Sequence, residues 1–96
     1  MSAFVIFDIE VTDTDGYAHY KELAQESVAF HGGKYIVRGG KHEVQEGDWR
    51  VNRLVVLEFP SYEQAQTWIN SPDYAPARAL RQKYANSRVV IVDGNL

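Results

Sequence analysis

The sequence predicts an α+β fold, a single antiparallel four-stranded sheet with helices on one face. Two observations predict it. Runs that alternate with a period of two are interleaved with stretches of three- to four-residue spacing, in the order strand, helix, strand, strand, broken helix, strand. The chain also has only 96 residues, which suffices for one hydrophobic core, so residues 1–96 form one domain.

The first strand is read from "AFVIFDIEV" (Ala3–Val11). Val5, Phe7, Ile9 and Val11 share one parity, while Phe4, Ile6, Asp8 and Glu10 share the other. "TDTDG" then offers polar cap residues, and Tyr20, Leu23, Ala24, Ser27 and Val28 recur at helical spacing up to His31. Gly32-Gly33 stands where a helix end needs a left-handed residue. Two strand-like runs follow, "KYIVRGGKHEVQ" and "DWRVNRLVVLEF", joined as a long hairpin at Glu46-Gly47.

Ser61 caps the next helix, with Gln64 at capping-box spacing and Tyr62, Ala65, Trp68 and Ile69 as its inward stripe. A second helical segment restarts at Ser71-Pro72, with Tyr74, Ala77, Leu80, Arg81 and Tyr84 on one stripe and Pro76 loosening its first turn. "RVVIVDG" closes the chain as a short apolar strand. This order matches a ferredoxin-like split β-α-β sandwich, whose crossovers are expected to be right-handed. "LVVL" and "VVIV" are apolar on both parities, yet the helices cover only one sheet face. A second subunit is the expected cover, so the chain is expected to be a homodimer.

Composition narrows the partners. Hydrophobic residues make up 45% and aromatics 12%, the values of a folded globule. A formal net charge of −3, with no compensating basic run, argues against nucleic-acid binding. There is no cysteine, hence neither disulfide nor thiolate site. The opening "MSAFVIFDIEV" is short, carries Asp8 and Glu10, and reads as a strand, not a signal peptide or membrane span. No membrane partner is expected, and the expected location is cytoplasmic.

Arg38-Gly39-Gly40 interrupts the second strand and raises a register question. With Glu46-Gly47 as a two-residue loop and continuous pairing, Arg38 opposes Val55 and lies in the most apolar stretch of the sheet. A bulge at Gly39 or Gly40 flips the parity. Tyr35 and Val37 then join Val55, Leu57 and Phe59 toward the helices, and Lys34, Ile36 and Arg38 join Leu54, Val56 and Glu58 on the other side. The bulged register is preferred, because it separates charges from apolar residues.

"GGKYIVRGG", "EG", "LVVLEFPSYEQAQTWINSPDYAPARALR" and the terminal "VVIVDG" resemble a bacterial family known only as domain of unknown function 1330, over nearly the whole chain. The Arg-Gly-Gly, Glu-Phe-Pro-Ser and Ser-Pro-x-Tyr elements carry the likeness. The resemblance implies a dimeric α+β barrel, in which two ferredoxin-like sheets face each other across a homodimer. That architecture also serves small monooxygenases, lactone isomerases and haem-dependent enzymes. It implies no activity for this family, because fold does not carry function.

Candidate chemistry rests on few residues. Arg38, Glu58 and Asp8 are expected to share the second sheet face. There they form either an anion- or carbonyl-binding arginine with carboxylates beside it, or a charge network that tiles a dimer interface. His19, His31 and His42 are the only imidazoles and lack metal-ligand spacing, so neither a metal nor a cofactor is expected. His19 is a general-base candidate, alongside Arg38 and Glu58 as catalytic candidates. Tyr20, Tyr35, Trp68 and Tyr74 point toward the seam between sheet and helices, which suits either an aromatic-lined cleft or an ordinary core. Arg81, two turns beyond Tyr74, projects from the same stripe. Arg38, Trp68, Tyr74 and Arg81 are therefore the candidate ligand-binding residues.

No phosphate-binding loop or nucleophile elbow is present. Two functions remain: a protein that binds or transforms a small aromatic or carboxylate molecule, and a non-catalytic dimeric structural or interaction module. A cavity favours the first and a filled seam the second.

Overall fold

The computed structural model describes residues 2–95. Seven elements follow in order: β1 (Ala3–Val11), α1 (Thr14–Phe30), β2 (Lys34–Arg38), β3 (Arg53–Phe59), α2 (Tyr62–Ile69), α3 (Ala75–Tyr84) and β4 (Ala85–Asp93). The strands form one sheet in the order β2-β3-β1-β4, with every neighbouring pair antiparallel. This is the predicted α+β, ferredoxin-like arrangement.

Local signals set the helix ends. The Asp13 carboxylate accepts the Gly16 N–H at 3.0 Å and starts α1. Gly32, at φ +80, supplies the left-handed step that ends it. Ser61 caps α2 by accepting the Gln64 N–H at 3.1 Å. The Gln64 amide does not return to Ser61; it donates to the His31 carbonyl at 2.9 Å and ties α2 to the end of α1. The third helix begins later than the sequence indicates. Ser71 Oγ accepts the Tyr74 N–H, and residues 72–74 form a turn before α3 starts at Ala75.

The core lies between one sheet face and the helices. Val5, Phe7 and Ile9 of β1 and Val55, Leu57 and Phe59 of β3 are buried there, as the parity predicts. Trp68 of α2 is fully buried, with its ring centre 5.3 Å from Phe59 and 4.2 Å from Tyr74. Leu23 departs from the predicted stripe and is 45% exposed. Ser27 belongs to the stripe because its hydroxyl accepts the Trp68 indole N–H at 3.1 Å and donates to the Ala24 carbonyl.

Two predictions about the hairpin are corrected. Residues 39–52 are not strand; β2 stops at Arg38 and β3 starts at Arg53. Nearly all of that segment is exposed, so extending the ladder into it would bury no apolar face. The bulge exists but falls at Ile36, not at Gly39 or Gly40. Tyr35 pairs with Leu57 and Val37 with Val56, leaving Ile36 as the extra residue. Tyr35 therefore keeps the register predicted with a bulge, while Arg38 opposes Val55 as continuous pairing requires.

Candidate functional site

The bulge determines which side chains meet. Tyr35 and Arg38, three apart in sequence, both face the helices, and the Arg38 guanidinium stacks 4.3 Å from the centre of the Tyr35 ring. Arg38 also donates to Gln25 Oε1 of α1 at 3.1 Å. Continuous pairing predicts a buried cation at this position. Instead Arg38 sits on an edge strand, exposed to solvent, and incurs no desolvation cost.

Arg53 comes next, at the start of β3. Paired with Ile9, it also faces the helices, with its guanidinium 5.9 Å from the Tyr17 ring centre. Its Nε is buried and has no hydrogen-bond partner among the described residues. Gly39 makes room for it: a Cβ there would overlap the Arg53 guanidinium, and Gly39 holds φ +71. The Gly39 N–H donates to the Leu54 carbonyl at 2.7 Å, which fixes the turn. The bare glycine backbone therefore admits an arginine from the neighbouring strand.

Between α1 and this end of the sheet lies a small cavity. Its floor is apolar, from Phe7, Val55, Leu57 and Trp68, and its polar lining comes from Tyr17, Tyr20, Lys21, Tyr35, Arg38 and Arg53. Its volume is about 10 Å³, within a concavity of about 330 Å³ that includes open solvent. Among the described residues no carboxylate lines it. Burial pushes the hydroxyls of Tyr17, Tyr20 and Tyr35 above the ordinary tyrosine value of 10.0, and Tyr74 beside Tyr20 raises that one further. Neutral phenols and fixed cations are donors, so the polar lining favours an acceptor-rich ligand.

Behind the floor, the predicted residues divide. Trp68 reaches the cavity, whereas Tyr74 is fully buried and Arg81 is 6% exposed. Arg81 Nε donates to the Tyr74 hydroxyl at 3.2 Å, and its guanidinium lies 5.5 Å from the Phe7 ring centre. Among the described residues the one ion pair is His31–Asp73, so Arg81 is buried without a carboxylate. Sequence spacing placed Arg81 correctly on the stripe of Tyr74, but the pair forms part of the core behind the cavity.

Glu58 does not join Arg38. It pairs with Phe4 and Lys34 on the face away from the helices, so the expected sharing of a face by Arg38 and Glu58 is wrong. The cause is the bulge at Ile36, which leaves Lys34 with Glu58 and turns Arg38 to the other side. Asp8 does lie on that second face, where its carboxylate accepts the Trp49 indole N–H at 3.2 Å and the Asn52 N–H at 3.0 Å. His19 is exposed on α1, His31 pairs with Asp73, and His42 lies in the exposed segment. None of the three lines the cavity. Sequence reasoning missed Tyr17, Lys21 and Arg53; for Arg53 the signal was its parity with Val55 and Leu57.

The family described as Domain of unknown function (DUF1330) matches residues 2–95. The chain belongs to the DUF1330 family. Its resemblance to that family in sequence is thereby shown over essentially its whole length. No curated protein matches the chain significantly. Among solved structures, this DUF1330 chain is similar to RPA0582, a protein of unknown function from Rhodopseudomonas palustris. The identity is 19% and the TM-score 0.77, covering 99% of this chain and 83% of that one. It is also similar to a candidate antibiotic biosynthesis monooxygenase from Nitrosomonas europaea, at 15% identity and TM-score 0.61, with 100% of both chains covered. Rv0793 from Mycobacterium tuberculosis matches at 17% identity and TM-score 0.56, over 96% of this chain and 93% of that one. At such identities the likeness is one of fold.

Proposed function

We propose that this DUF1330 protein is a cytoplasmic homodimer that binds a small planar organic anion, an aromatic acid or related carboxylate, at the mouth formed by Arg38 and Arg53. The observation that carries this reading is the buried Nε of Arg53. Among the described residues it is a donor without an acceptor, beside a cavity that has no carboxylate to neutralise its cations. An anion entering there would supply the missing acceptor, and a flat ring would find the faces of Tyr17 and Tyr35. Entry requires Arg38 and Lys21 to swing outward, which an exposed and a half-buried long side chain do at little cost.

The dimer half of the proposal rests on the second sheet face. Val90 and Val92 are 54% and 43% exposed there, beside half-buried Phe4, Ile6, Leu54 and Val56. A contiguous apolar face of this kind is seldom left bare. One observation favours the second reading, a non-catalytic dimeric module: at about 10 Å³ the cavity has room for little more than one water.

A thermal-shift screen of aromatic acids, lactones and quinones separates the two. A specific ligand raises the apparent melting temperature by mass action, and Arg38→Ala is expected to weaken that ligand about tenfold or more while leaving the unliganded melting temperature nearly unchanged. A screen without hits on a protein that dimerises supports the module instead.

A further inference from the structure

The hydroxyls behind the cavity form a chain with a fixed direction. Arg81 has only donors, so its Nε gives a hydrogen to Tyr74 Oη at 3.2 Å. Tyr74 Oη lies 3.0 Å from Tyr20 Oη, and either could donate there. Burial decides between them. Tyr74 is 0% exposed and has no third partner among the described residues, so if Tyr20 were the donor the Tyr74 O–H would be orphaned in the core. With Tyr74 donating, Tyr20 accepts, and the Tyr20 O–H is the free end. Tyr20 lines the cavity and is 7% exposed, and no other hydrogen-bond acceptor for it exists among the described residues.

We infer that Tyr20 presents its O–H to the cavity as the donor for a ligand oxyanion, with Tyr74 and Arg81 as positioning residues that orient and polarise it. This rests on the reading that a planar organic anion binds here, and it assigns the oxygen that reaches the floor, as distinct from a carboxylate held by the arginines at the mouth. A single O–H at an apolar floor of Phe7, Leu57 and Trp68 matches one oxygen on a flat ring, a phenolate or enolate, better than a two-oxygen carboxylate. The buried guanidinium of Arg81, with no carboxylate among the described residues to cancel it, strengthens the chain from behind. Burial holds the Tyr20 hydroxyl protonated, so it remains a donor at any physiological pH.

The test uses 4-nitrophenol, yellow only as its phenolate, and the uncharged 4-nitroanisole as a matched ring. At a pH where the free probe is half ionised, the wild-type protein is expected to shift bound 4-nitrophenol toward the phenolate colour. Tyr20→Phe is expected to abolish that shift and weaken phenolate binding about ten- to a hundredfold, with 4-nitroanisole affinity unchanged. Tyr74→Phe, which keeps Tyr20 but cuts it from Arg81, is expected to give a smaller colour shift, and it carries the test alone should Tyr20→Phe not fold. Equal loss of both probes in these variants, or an undiminished colour shift, overturns the donor chain and leaves the binding reading standing. If neither probe binds the wild-type protein and the ligand screen is also empty, the binding reading fails and the inference falls with it.

Discussion

Gly39 meets two demands at one position: a positive φ, and an absent Cβ where the Arg53 guanidinium lies. Gly39→Ala is expected to destabilise the fold by about 1–3 kcal/mol in urea denaturation, from the left-handed backbone together with displacement of Arg53. Gly40 has open space around its α-carbon and no positive φ, so Gly40→Ala is expected to stay within about 0.5 kcal/mol of wild type. The Arg-Gly-Gly motif was visible in the sequence, but its cause was not, because the crowding comes from another strand. Tyr20 gives a second residue-scale prediction. Its folded-state pKa lies above the unfolded value of 10.0, so above that pH the unfolded chain releases a proton that the folded chain keeps. The stability Tyr20 contributes is therefore complete below pH 10 and declines as pH rises further. Tyr20→Phe is expected to flatten the fall of stability measured between pH 10 and 11 relative to wild type.

Among elements, the connection between β2 and β3 departs furthest from the sequence reading. It is held by Asp8, whose two oxygens take the Trp49 indole N–H and the Asn52 N–H. Asp8→Ala is expected to release residues 39–52, with faster amide exchange there and a red-shifted Trp49 emission, at a cost of about 1–3 kcal/mol. Unchanged exchange in that segment would show that Asp8 does not anchor it. The order of strands and helices along the chain, helix caps at Ser61 and Gly32, and the buried parity of β1 are legible, since each depends on a few neighbouring residues. The register of β2 is not. Counting outward from Glu46-Gly47 gives the observed Arg38–Val55 pairing, but the bulge falls at Ile36, an apolar residue that no glycine marks. A bulge set at Gly39 or Gly40 puts Arg38 with Glu58, whereas the bulge at Ile36 puts it with Tyr35. Partners distant in sequence, such as Ser27 with Trp68 or Tyr20 with Tyr74, leave only a polar residue on an apolar stripe as their sequence trace. Ser27→Ala would orphan the buried indole N–H, and a loss of about 1–3 kcal/mol is expected in chemical denaturation.

For the whole molecule, the sheet face away from the helices governs assembly. A homodimer through that face is expected to bury more than about 1,000 Å² in total, and sedimentation at micromolar concentration is expected to report two chains. Val90→Lys, on an exposed position of that face, is expected to yield folded monomers; a wild-type monomer would remove the assembly proposal altogether. The bulge at Ile36 has a further consequence, for aggregation. β2 is an outer strand of five residues, broken by an unpaired residue and ending in the cations Lys34 and Arg38. Such a border offers an incoming chain no regular row of amides and carbonyls to copy. β4, the opposite border, runs nine residues without a break. Growth of the sheet by strand addition, in misfolding or in fibril formation, is thus directed to β4, and a proline within Ala85–Asp93 would block it where the same change in β2 would not.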